Sequence, residues 1–145
     1  MRITGRFEPE PEMVKHVNDY AKDLMKKMEE VVGFSEVELE ARFEKLRVEE
    51  TNVANFIADI IRVENPTCDL AMIITGTLRT NAVIPAGDLK LKFIADLLSL
   101  PDKIVLKSIP GSVLREALEN SVSFLPKLDG RLCCISGCTF TYDIT

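Results

Sequence analysis

Apolar residues recur at helical spacing near the start of the chain. Met13, Val17, Tyr20, Leu24, Met28 and Val31 fall three and four apart, with Lys15, Asn18, Lys22, Lys26, Glu29 and Glu30 on the other side. This predicts an amphipathic connecting helix over residues 12–32, roughly 30 Å long at about 1.5 Å per residue, with Gly33 as its stop. The stripe is expected to pack on the rest of the domain; the sharper alternative is a bridge that also touches an upstream domain. Residues 1–11, with Gly5, Pro9 and Pro11 among polar neighbours, read as an extended linker.

The pattern then changes period. Val37, Leu39 and Ala41 alternate with Glu36, Glu38, Glu40 and Arg42, as in a half-exposed strand over residues 34–42. A helix capped by Thr51 or Asn52 should bury Val53, Phe56, Ile57, Ile60 and Ile61 and end at Asn65-Pro66. Residues 70–74 are continuously apolar, as in a central strand covered on both faces. A long connection over 75–87 leads to a helix capped by Asp88 and carrying Leu89, Phe93, Ile94, Leu97 and Leu98. A strand over 103–109 follows. A third helix opens at Pro110-Gly111-Ser112 and turns Leu114, Ala117, Leu118 and Val122 inward. Residues 132–135 and 138–142 read as two strands joined at Ser136-Gly137, and the stop directly after a strand suggests an incomplete domain. Helices and strands alternate until that final pair, which makes the fold α+β with mixed α/β layers.

Composition narrows the function. At 145 residues and 46% hydrophobic, one domain with a sizeable core is expected. The net charge of -5 and the lack of a basic run argue against nucleic acid. No apolar run reaches the roughly 20 residues that span a bilayer, so no membrane insertion by this chain is expected. The four cysteines, Cys68, Cys133, Cys134 and Cys138, read as reduced thiols packed as small hydrophobes. Zinc at Cys133, Cys134 and Cys138 would need Cys68 as a fourth ligand. The single histidine, His16, lies on the outer helix and cannot serve as base for a nucleophile elsewhere. Neither a dinucleotide nor a P-loop fingerprint occurs. The chain does not read as a self-sufficient enzyme, and no catalytic residue is assigned.

One cation stands out. Arg79 follows an apolar strand and the turn at Gly76, and a guanidinium suits bidentate contact with phosphate or carboxylate. The competing reading is a surface arginine or an ion pair with Asp59 or Asp88. Arg47 and Arg131 are weaker candidates of the same kind.

Five segments, taken in order, resemble the C-terminal domain of the 5'-nucleotidase and UDP-sugar hydrolase family. Arg47-x-x-Glu50-Thr51-Asn52-x-x-Asn55-x-x-x-Asp59 resembles the start of the family's helix. Ile74-Thr75-Gly76-Thr77-Leu78-Arg79 is similar to its arginine turn, and Ile84-Pro85-Ala86-Gly87 to its I-P-A-G segment. Pro110-Gly111-x-x-Leu114-x-x-Ala117-Leu118-Glu119 follows. Then come Asp129-Gly130-Arg131 and Ile135-Ser136-Gly137-x-x-Phe140-x-Tyr142-Asp143. The resemblance implies a 5'-nucleotidase C-terminal-like domain over residues 33–145. It also implies a parent whose N-terminal metallophosphoesterase domain, absent here, holds divalent metal ions (Mn, Mg or Zn) and the catalytic pair. This chain then supplies substrate recognition for a nucleotide or sugar nucleotide. By the same resemblance Arg79, with Gly76 in its turn, contacts phosphate, and Arg47 and Asn52 at the helix start are further substrate-binding residues. The departures are Ile74 for the turn asparagine, Glu49 where several members carry a second arginine, and Leu98-Ser99-Leu100 where a base-stacking ring is expected. They motivate the alternative of a binding or structural module that no longer takes nucleotides. Family members are often secreted or surface-anchored, whereas reduced thiols suit the cytoplasm, so the compartment stays open.

Overall fold

The computed structural model describes residues 8–143. It opens with α1 (Pro11–Met28), capped by the Glu10 carboxylate, which accepts from the backbone N–H of Glu12 and Met13. The helix is shorter than its stripe. By Val31 the chain is already in β1 (Val31–Ser35), so Gly33 lies within a strand, opposite Leu89. No residue of α1 is buried. It leans on α4 while Met13, Val17, Tyr20 and Leu24 stay exposed, so the expected packing of the stripe on this domain does not occur.

The predicted strand over 34–42 is two strands in two sheets. The chain bends after Ser35, whose hydroxyl donates to the Val37 carbonyl, and resumes as β2 (Leu39–Glu40). Leu39 and Ala41 are buried as the alternation requires; Val37, at the bend, is exposed. A short α2 (Phe43–Leu46) precedes α3 (Asn52–Glu64). The buried face of α3 is Val53, Ala54, Ile57 and Ala58 rather than the larger expected set. The two alanines allow close approach to β3 (Ala71–Ile74) and β6 (Cys133–Ser136), which rotates Phe56 and Ile60 into solvent.

After β3 come a 3-10 turn over Thr75–Thr77, β4 (Val83–Ile84) and β5 (Gly87–Lys90). Asp88 is therefore a strand residue and caps no helix; α4 (Leu91–Leu97) begins after Lys90. Pairing with β1 claims the backbone of residues 87–90, which helical periodicity alone could not anticipate. α5 (Gly111–Val122) matches its expected bounds, and Leu114, Ala117, Leu118 and Val122 are half-buried on its inner side.

All sheets are two-stranded and antiparallel among the described residues: β1 with β5, β2 with β4, β3 with β6. β3 is thus not a central strand, and its last residue, Ile74, is exposed. Residues 103–109 form no strand; they run unpaired, with Ile104, Val105, Leu106 and Ile109 exposed. Residues 138–142 also pair with nothing in the described sheets. Gly137, at φ +97°, lies so close to the Asp69 carbonyl that any Cβ would collide with it, and the chain leaves the sheet there. The core joins Leu39, Leu46, Val53, Ile57, Leu78, Leu89, Leu97 and Cys134. The architecture is α+β, small sheets and helices around one apolar centre.

Candidate functional site

The site is built on the turn that follows β3. Thr75 N–H donates to the Leu132 carbonyl (2.8 Å) and Gly76 N–H to the Gly130 carbonyl (2.7 Å), so the turn lies along the segment entering β6. A Cβ on Gly76 would stand 2.9 Å from the Gly130 carbonyl oxygen and 3.3 Å from its Cα. Only glycine permits this approach, which gives Gly76 a steric role in the turn.

Arg47 holds the turn from beneath. It is 7% exposed, and its guanidinium donates to the carbonyls of Thr75 and Leu78 (3.1 Å for the latter) while lying 4.6 Å from the centre of the Phe43 ring. Expected at the ligand, Arg47 is instead turned inward as a support. Burial, then the charge of Arg79, lowers its pKa, and Asp129 opposes them. Asn52, the other residue expected at the ligand from the helix start, is also occupied. It accepts from Glu40 N–H (2.8 Å) and donates to the Glu38 carbonyl (2.7 Å), clamping α3 to β2. It does not reach the turn in these contacts.

Arg79 differs from both. Its backbone N–H is fixed to the Leu97 carbonyl (2.8 Å), while its side chain is exposed and makes only a long contact, 3.4 Å, with the Gly76 carbonyl. Among the described residues it forms no ion pair, so neither Asp59 nor Asp88 holds it. Asp59 accepts from Ser136 Oγ, which accepts in turn from Arg62 Nε. That chain tying α3 to β6 was missed from the sequence; its signal was a polar Asp59 one position beyond the buried Ala58. Arg131 is committed to Asp129 (3.0 Å), the Ser123 hydroxyl and the Phe124 ring. The turn therefore presents one free guanidinium backed by a second, buried one, a local excess of positive charge that an anion would relieve.

The departures also have places. Glu49 is exposed and paired with Lys45 at 2.8 Å, which offsets its repulsion of an anion. Ile74 and Leu100 are exposed, and their aliphatic side chains offer neither a hydrogen bond nor an aromatic ring. A separate cavity of about 370 Å³ lies between α3 and the residues after β6, lined by Glu50, Asp59, Arg62, Phe140 and Tyr142; Arg79 and Gly76 do not line it. All four cysteines are free thiols: Cys133 and Cys134 are buried as expected, whereas Cys138 is exposed. Among the described residues no three His, Cys, Asp or Glu side chains converge to hold a metal. The four cysteines form no zinc arrangement among the described residues. No helix is long and apolar enough to cross a membrane.

Residues 31–145 match the family model described as 5'-nucleotidase, C-terminal domain, and the chain belongs to that family. It is 25% identical over 143 residues to the trifunctional nucleotide phosphoesterase protein YfkN of Bacillus subtilis, covering 98% of this chain and 10% of that protein. Among solved structures it is similar to a 5'-nucleotidase precursor from Thermus thermophilus. The TM-score is 0.75 at 28% identity, over 89% of this chain and 26% of that one. The NAD nucleotidase NadN of Haemophilus influenzae shares the fold, with a TM-score of 0.61 at 16% identity over 90% of this chain and 25% of the other. The chain thus spans about a quarter or less of the length of these relatives.

Proposed function

We propose that this chain is the substrate-recognition domain of a metal-dependent 5'-nucleotidase-like phosphohydrolase. In the full-length parent it presents a nucleotide or sugar nucleotide to an N-terminal domain that carries the metals. The observation that carries this reading is Arg79: an exposed guanidinium, without an ion pair among the described residues, on a turn fixed by Arg47 and the Gly76–Gly130 contact. Family membership supports it, as do relatives whose names describe nucleotide phosphoesterase and 5'-nucleotidase proteins. Arg79 would bind the phosphate; the turn would hold the guanidinium in place rather than bind by itself. No proton transfer is assigned to this chain.

A second reading, a module that kept the fold and lost nucleotide binding, is favoured by the exposed Ile74 and Leu100 at positions where polar and aromatic contacts are expected. Phosphate release by the parent, measured on nucleotides and sugar nucleotides with manganese, separates the two. A charge-assisted hydrogen bond contributes about 1.5–3 kcal/mol, so Arg79→Ala should reduce kcat/KM roughly 10- to 150-fold. Release unchanged by Arg79→Ala sinks the recognition role. No release from any substrate leaves the second reading.

A further inference from the structure

We propose that α1 is a self-association helix, pairing antiparallel with α1 of a second copy of this chain. Met13, Val17, Tyr20 and Leu24 are 61%, 57%, 75% and 43% exposed, whereas Ala21 and Met28, along one edge of the same stripe, are half-buried. The exposed four are spaced 4, 3, 4, the alternation of a coiled-coil seam, and cover about three turns.

Charge selects the occupant and the direction. Antiparallel pairing that sets Val17 against Tyr20 of the second copy also sets Met13 against its Leu24, giving four closed apolar layers. The same register brings Glu10 opposite Lys27 at both ends, and His16 opposite Asp23 on one flank. The other flank pairs Val14 with Ala21, both uncharged. A parallel pair would oppose Glu10 to Glu10 and Lys27 to Lys27, and would leave Asp23 beside Met28. Glu10 caps its own helix yet remains exposed, so its carboxylate can still accept from a lysine. Two antiparallel helices also align their dipoles favourably. The seam is short, which places the contact at the small, transient end of protein interfaces.

Sedimentation of the 145-residue chain from about 10 µM to 1 mM tests this. The expected result is a reversible shift from monomer to dimer mass within that range. Tyr20→Lys, at an exposed position, should keep the circular dichroism spectrum and abolish the shift. Direction is read by cysteine pairing in a Cys138→Ser background. Val17→Cys mixed with Tyr20→Cys should form the mixed disulfide in preference to either homodimer. A chain that stays monomeric at about 1 mM overturns the proposal and leaves the stripe to another domain or protein. So does a dimer that survives Tyr20→Lys, or a preference for 17–17 disulfides. None of these outcomes depends on whether Arg79 binds a phosphate.

Discussion

Replacing Arg47 with Met separates its supporting role from the exposed role of Arg79. Methionine keeps an apolar stem of similar length over Phe43 but removes the guanidinium that serves the carbonyls of Thr75 and Leu78. Thr75 and Leu78 are both fully buried, so water cannot readily replace the lost donor. Each orphaned buried acceptor costs about 1–3 kcal/mol. Two effects offset this: a buried cation disappears, and so does its repulsion with Arg79. The net loss should be about 2–4 kcal/mol. For a domain near 150 residues, about 1 kcal/mol moves Tm by 2–4 °C, so a fall of roughly 4–16 °C is expected. Arg79→Met, at an exposed side chain, should change stability by less than about 0.5 kcal/mol. Urea denaturation followed by circular dichroism measures both midpoints. Equal losses in the two variants, or a larger loss at Arg79, would refute the assignment of Arg47 as the support and Arg79 as the free cation.

The remaining predictions rest on separate contacts. Gly76→Ala drives a methyl into the Gly130 backbone and should cost about 1–3 kcal/mol by overpacking; a neutral thermal melt would contradict the close approach. Thr75 is fully buried and its hydroxyl has no hydrogen-bond partner among the described residues, so Thr75→Val should be neutral or stabilising by up to about 1 kcal/mol. A loss in urea midpoint would show that the hydroxyl is used. Burial, then the neighbouring Cys134 sulfur, pushes the Cys133 thiol up to about 12; burial, then Glu50, pushes Cys134 up to about 11. Both remain protonated in the folded chain at pH values where the unfolded chain already ionises. Stability should therefore be fully present below about pH 9 and decline as pH rises towards 11. Iodoacetamide at pH 8 with mass spectrometry should label exposed Cys138 well before Cys133 or Cys134, and equal labelling would argue against their burial.

Local pattern and ordered motifs determined much of this protein. Apolar spacing located α1, α3 and α5 because helix periodicity is a property of neighbouring residues. The motif order from Arg47 to Asp143 carried the family, and the glycine before Arg79 marked the turn on which the arginine stands exposed. Tertiary structure decided which strands exist and which polar residues are spent. Residues 87–90 became a strand because β1 pairs with them, while the apolar stretch at 103–109 stayed unpaired because no described strand comes beside it. Arg47 and Arg79 look alike as letters. One is buried because two carbonyls from a turn about thirty residues away need a donor, and the other is free because no carboxylate reaches it among the described residues. Asn52 is likewise spent on Glu38 and Glu40. Such assignments depend on groups distant in sequence arriving within hydrogen-bond reach, and no local pattern encodes that arrival.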